Sequence, residues 1–171
     1  MKATLQQAPA RHYALVLDSP LGPLGIRLQR DFVTCIDYLP ASSKPMDDGS
    51  AAARRVARAL KRYFTDGSRS FNFAVQLAGT DFQQRVWQAL QAIPAGQTRS
   101  YGELARQLGT GARAVGNACR HNPAPVVVPC HRVVGTSGPG GYAGRMTGRP
   151  LRRKRWLLEH EGVDLKGLKK N

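Results

Sequence analysis

Residues 100–135 read SYGELARQLGTGARAVGNACRHNPAPVVVPCHRVVG, and their punctuation sets the local structure. Ser100 followed by Glu103 makes a capping box: the hydroxyl accepts from the backbone N–H three residues on, and the carboxylate reaches back to the first N–H. Leu104 and Leu108 fall four apart on the helix so opened. Gly109 ends it, because glycine takes the left-handed conformation that closes a helix without steric cost. A second helix follows almost at once, from about Gly111 to Arg120. Two short helices joined by a tight glycine turn are a helix-turn-helix candidate, with Arg113 in the first turn of the second. The same spacing occurs in ordinary helical bundles. Ala112, Ala114, Gly116 and Ala118 give the second helix so little bulk that it can lie close to another backbone, of protein or of DNA. The glycines of LGTGAR do not make a phosphate loop, since no strand precedes them and no Gly-Lys-Ser/Thr follows.

Downstream, Val126–Val128 is an apolar run suited to a buried strand, and Pro129 places Cys130 at a rigid turn with His131 directly after it. A thiol becomes a strong nucleophile only as thiolate, and an ordinary cysteine near pKa ~8.5 is only a few per cent ionised at neutrality. A neighbouring imidazole can take the proton, directly or through one water, and Arg132 adds charge that favours the thiolate. As bare chemistry, a Cys-His dipeptide is more often structural than catalytic. The other two cysteines read as packing residues: Cys35 in the alternating strand FVTCIDYL and Cys119 in the small-residue helix. Three cysteines without a C-x-x-C pair argue against a disulfide framework. Four histidines without zinc-finger spacing argue against structural zinc.

Upstream, Thr80 and Gln83 form another capping box, opening a helix with Phe82, Val86 and Leu90 on one face and Trp87 beside them; Pro94 ends it. Ahead of Gly79 the texture is different. Tyr13–Asp18, Leu24–Gln29 and Phe32–Leu39 read as strands of an antiparallel meander, with a turn at 19–23. Residues 41–50 read as loop, and Ala53, Val56, Ala57, Leu60, Tyr63 and Phe64 form an amphipathic helical stripe. Phe71–Leu77 is expected to return to the sheet. No catalytic constellation shows in this half.

The chain has 171 residues and a formal net charge of +15. Residues 98–171 hold 14 basic and 4 acidic side chains, against 12 and 7 in residues 1–97. Such local excess suits a polyphosphate partner, nucleic acid before acidic membrane, although a solvated surface has the same composition. No apolar run approaches the ~20 residues of a membrane helix, and MKATLQQAPARH has no stretch able to serve as a secretion signal. A soluble, cytoplasmic protein is expected.

Pro129-Cys130-His131-Arg132, followed by Val133 and preceded by Asn122-Pro123, resembles the alkyl-acceptor motif of the O6-alkylguanine-DNA alkyltransferases (methylated-DNA–protein-cysteine methyltransferases). The resemblance runs from Thr80 to Gly162 through GTDFQQRVWQAL, SYGELA, ARAVG, NPAPVVVPCHRVVG, GYAG and WLLEHEG. It is weaker in the N-terminal half, chiefly DSPLGPL. It implies an α+β protein: a small N-terminal α/β, RNase H-like domain (1–79), then a mostly helical domain with a helix-turn-helix (80–171). It implies that Cys130 takes the alkyl group from O6 of guanine, that His131 acts as general base through water, and that Glu161 orients His131. Tyr101 would donate to the flipped base and Arg113 would fill the gap left in the stack. Gly102 would belong to the DNA-binding face, and Thr136 would meet the DNA backbone. Pro125 and Tyr142 would line the alkyl pocket, with Asn122 and Arg132 as structural support. The partner implied is double-stranded DNA containing O6-alkylguanine, possible substrates extend to O4-alkylthymine, the free protein would be a monomer, and neither cofactor nor metal is implied.

Three features depart from the family pattern. Gly144–Trp156 (GRMTGRPLRRKRW) is several residues longer than usual, with Arg145 where a second glycine is common. The turn between Leu108 and Arg113 is slightly short, and Ala143 stands where some relatives have serine. The long segment gathers Arg145, Arg149, Arg152, Arg153, Lys154 and Arg155, which suits either a solvated helix start or added phosphate contact and altered access for bulky alkyl groups. Other function classes remain: a non-catalytic alkyltransferase-like lesion binder, which would lack the acceptor cysteine, a plain helix-turn-helix regulator, and a Cys-His hydrolase, for which no oxyanion hole is announced.

Overall fold

The computed structural model describes residues 12–169; the N-terminal stretch searched above for a secretion signal lies, up to Arg11, outside them. Four strands, β1 (Leu15–Leu17), β2 (Leu24–Gln29), β3 (Phe32–Tyr38) and β4 (Met46–Asp47), form an antiparallel sheet of order β3-β2-β1-β4. The three-stranded meander matches its sequence pattern. The short β4 is an addition: the 41–50 segment is not wholly loop, because Met46 pairs with Val16 and Asp47 with Leu15 along the free edge of β1. Helix α1 (Ala51–Thr65) is capped by Ser50, whose hydroxyl accepts from the Ala53 N–H at 3.0 Å. It buries Ala53, Val56, Leu60 and Tyr63 in the same core as Leu15, Leu24 and Ile26 of the sheet. Each large apolar side chain so buried stabilises by about 1.5–3 kcal/mol.

The other edge of the sheet belongs to β3, whose unpaired N–H and C=O groups need cover. Phe71–Leu77 supplies it without becoming a full strand: only Val75 bridges, and Val33 is held between the Ala74 carbonyl and the Gln76 N–H. Ile36 donates to the carbonyl of Pro123 at 2.9 Å, which ties the sheet to the segment leading into Cys130.

Helix α2 (Asp81–Gln91) carries the capping box at Thr80, and α3 (Tyr101–Leu108) the one at Ser100; both boxes have both bonds. Gly109 closes α3 at φ 64°, and α4 (Ala112–Arg120) restarts after Gly111. Trp87 on α2 is buried and donates its indole N–H to the Ala118 carbonyl at 3.0 Å, fixing α4 against α2. Val126–Val128 is not a strand. Pro123, Pro125 and Pro129 deprive this stretch of N–H groups, and the valines form a buried turn in which Val126 sits at φ 75°. A β-branched residue is strained there, by about 1–3 kcal/mol. Cys130–Arg132 makes one 3-10 turn, then β5 (Arg99–Ser100) and β6 (Val133–Val134) pair in parallel. That clip binds the exit of the cysteine turn to the start of α3. Helix α5 (Gly148–His160) ends the fold before a last 3-10 turn at Gly167–Lys169. The result is an α+β protein with one continuous apolar cluster running from Leu15 to Leu157. Among the described residues no helix is long and apolar enough to cross a membrane.

Candidate active site

Cys130 is 5% exposed and forms part of the wall of a cavity of about 450 Å³, together with Tyr101, Arg113, Gly116, Tyr142 and Met146. A smaller cavity of about 200 Å³ also reaches it, bounded by Cys35, Tyr38, Pro125 and Tyr142. Asn122, just past α4, donates from Nδ2 to the Val128 carbonyl at 2.7 Å and to Cys130 Sγ at 3.2 Å. Burial pushes the thiol pKa up, and Asn122, Lys154 and Tyr142 pull only partly against it. The neutral thiol is therefore the resting form, and reaction requires that its proton be taken.

His131 is wholly buried beside it. A carboxylate can only accept, so Nε2 carries the ring proton and donates it to Glu161 Oε1 at 2.9 Å. This fixes Nδ1 as the basic nitrogen, and Nδ1 is buried without a partner among the described residues. Burial lowers the His131 pKa, against the pull of Glu161, which keeps the ring neutral and able to accept. Glu161 lies at the C-terminal cap of α5, an unfavourable place for a negative charge. Arg132 compensates with a two-point fork, Nε to Oε2 at 2.9 Å and Nη2 to Oε1 at 2.8 Å. Burial alone would raise the Glu161 carboxyl; hydrogen bonds from His131 and Arg132 bring its pKa down to about 2. A third donor comes from the N-terminal half, the Tyr63 hydroxyl at 2.6 Å from Oε1.

A methylated-DNA–protein-cysteine methyltransferase of Mycobacterium tuberculosis is 44% identical over 158 residues, covering 88% of this chain and 92% of that protein. The chain belongs to this family. Residues 81–163 match the family model described as 6-O-methylguanine DNA methyltransferase, DNA binding domain. A relative from Methanosarcina acetivorans is 35% identical over 158 residues, covering 88% of this chain and 98% of its own. Among solved structures, that of M. tuberculosis OGT in complex with DNA aligns at TM-score 0.72 and 40% identity, over 91% of this chain and 98% of that one.

Within this alkyltransferase-family chain, the fold brings most of the expected residues to one place. Cys130, Tyr101, Arg113 and Tyr142 share the larger cavity, and Pro125 reaches Cys130 through the smaller. Tyr101 also hydrogen-bonds weakly to the Gly141 carbonyl at 3.4 Å. Gly102 is exposed in the first turn of α3. Thr136 stands apart, in a cleft with Thr98, Ser100 and Arg106 that does not include Cys130. One expectation is corrected: Arg132 does not act chiefly on the thiol. Its guanidinium is spent on Glu161 and the Ile93 carbonyl.

The cation acting on Cys130 is Lys154, which fits neither reading of the basic segment, being neither solvated nor available to phosphate. It is 0% exposed, and Nζ donates to the carbonyls of Val133 (2.5 Å) and Gly141 (2.9 Å). Burial lowers its pKa to about 8, opposed by the two thiols Cys130 and Cys119. Its helical phase could have revealed it, since Lys154 falls on the stripe of Leu151, Leu157 and Leu158. Tyr38 was also missed: its hydroxyl shares a 2.9 Å hydrogen bond with that of Tyr142, and Arg153 lies 3.9 Å over its ring.

Proposed function

We propose that the protein repairs DNA by moving the alkyl group of O6-alkylguanine irreversibly onto Cys130. What supports this above all is the pairing of a buried neutral thiol, opening on a cavity, with a buried His131–Glu161 couple whose free nitrogen is basic. The thiol proton passes through water to His131 Nδ1, and Glu161 stabilises the imidazolium. Cys130 Sγ attacks the alkyl carbon, the C–S bond forms as the C–O6 bond breaks, and the electron pair leaves with guanine. Tyr101 donates to the base as that charge develops. The product is a thioether, which no group here can cleave, so each chain acts once and no methyl-donor cofactor takes part.

The O6 atom of a stacked pair cannot meet a buried thiol, so the base is flipped out, at a cost of a few kcal/mol that is less for the weakened alkylguanine pair. In this reading α3 and α4 are a helix-turn-helix that enters the minor groove, Gly116 and the alanines of α4 allow the close approach, and Arg113 fills the stack. Gly102 lies on the same face and Thr136 meets the backbone beyond the cavity. Residues 1–79 form an RNase H-like domain that backs the site, residues 80–171 the DNA-binding one, and the protein works as a monomer in the cytoplasm. The presence of Cys130 tells against a purely lesion-binding role.

Duplex DNA carrying radiolabelled O6-methylguanine tests the reading. The label is expected on Cys130, one per chain, and Cys130→Ala should bind the lesion without taking it. Label remaining on DNA with the unaltered protein, released to solvent, or carried on Cys35 or Cys119 would overturn it.

A further inference from the structure

We propose that Tyr63, on α1 of the N-terminal half, is a positioning residue for the transfer: its hydroxyl draws charge from the Glu161 oxygen that holds His131, and so sets how readily that imidazole takes the thiol proton. The inference rests on the alkyl-transfer reading above. Glu161 Oε1 receives three donors: His131 Nε2 at 2.9 Å, Arg132 Nη2 at 2.8 Å and Tyr63 Oη at 2.6 Å. The two ring donors compete for the same lone-pair density, and a short bond to an ionised oxygen is among the stronger kinds.

Tyr63 is built into this place. It is fully buried, its ring packs against Phe64, Phe71 and His160 at 5.1–5.5 Å between centroids, and its own carbonyl accepts from His160 Nε2 at 2.6 Å. Burial and the Glu161 charge push its own ionisation far up, so the phenol remains a donor. The groups acting on the couple from other elements are Arg132 and Lys154, both of which disfavour the imidazolium, and Cys130 beside them; Tyr38 on β3 acts on Tyr63 itself. None of these is changed by removing one hydroxyl, and the Arg132 fork still orients Glu161.

Removing that hydroxyl leaves more negative charge on Oε1, which favours protonated His131. Single-turnover transfer from duplex O6-methylguanine, measured from pH 5 to pH 9, should then show the acid limb of Tyr63→Phe displaced upward by about half a unit or more. The ratio of its rates at pH 6 and pH 8 should fall about threefold or more relative to the unaltered chain. Site-specific 3-fluorotyrosine at 63, nearly the same shape but a stronger donor, should displace the limb downward, and it keeps the test available if the Phe variant folds poorly. Nitrogen-15 titration of the His131 ring without DNA should move in the same two directions. A Tyr63 that merely fills space would change melting temperature but leave both limbs and both titrations where they are, and that result overturns the proposal. An unaltered protein that transfers no label at any pH would instead overturn the alkyl-transfer reading itself.

Discussion

The cations around Cys130 fall into two populations. Arg132 and Lys154 are buried, and every nitrogen of their charged groups donates to a carbonyl or to Glu161. Arg113, Arg120, Arg145, Arg149, Arg152 and Arg155 are exposed on α4, α5 and the loop between. The first population has its geometry dictated by the fold, because an unpaired buried charge costs several kcal/mol. The second costs almost nothing to leave in water and is free to meet phosphate. The net charge of +15 therefore mixes two populations: a few cations fixed inside the fold, and exposed ones available to a polyphosphate partner.

The largest expected effect breaks the buried set. Glu161→Gln keeps the shape but leaves Arg132 without its counter-charge, and should cost about 3–5 kcal/mol in chemical denaturation. Transfer at neutral pH should fall about 100-fold, since a neutral amide no longer supports the imidazolium. In the unaltered protein the carboxyl titrates near 2 when folded and near 4.5 when unfolded. The folded state thus holds fewer protons between these values, and the stability due to Glu161, present above 4.5, is lost as pH falls toward 2. Glu161→Gln should flatten that acid limb. An unchanged limb would mean that Arg132 and His131 are not what holds the carboxylate.

Lys154→Met should come next. It keeps the length of the side chain while leaving the Val133 and Gly141 carbonyls unpaired, at about 1–3 kcal/mol for the lost donor. It also removes a charge that pulls the Cys130 thiol down, so the alkylation rate of free Cys130 by iodoacetamide should fall and its pH midpoint rise. If only stability changes and the midpoint stays, Lys154 is a strut for the two carbonyls and nothing more.

Legibility in the sequence follows the same division between local and long-range causes. The capping boxes at Thr80 and Ser100 and the glycine stop at 109 act within four residues, and all three are where the pattern puts them. The Cys-His-Arg run is equally visible as a run. What Arg132 does is not, because its partners are Glu161, 29 residues on, and Ile93, 39 residues back. The valine triplet misleads for a different reason: its side chains favour a strand, but three prolines in seven positions remove the donors a strand needs, and the turn wins. Tyr63 reads as one more apolar rung of α1 because nothing nearby marks a hydroxyl whose acceptor lies 98 residues away.

The smallest effect concerns the exposed set and decides what the basic stretch of α5 is for. Arg149 and Arg152 are exposed beside the Pro20–Pro23 turn, whereas Arg153, next to Arg152, donates to the Leu21 carbonyl at 3.1 Å and covers the Tyr38 ring. Arg153→Ala should therefore behave as a packing change, with about 1–2 kcal/mol lost from stability and little change in the salt dependence of binding. Arg149→Ala with Arg152→Ala should do the reverse. Surface changes of this kind leave stability within about 0.5 kcal/mol, but each lost phosphate contact should make the slope of log K against log salt shallower by about 1. Titrations on a lesion-free duplex from 50 to 200 mM salt read the slope directly. A double variant whose slope matches the unaltered chain would place these arginines outside the DNA footprint, and the exposed face of α5 would then be a solvated surface, the helix serving the site only through its buried side and its Glu161 cap.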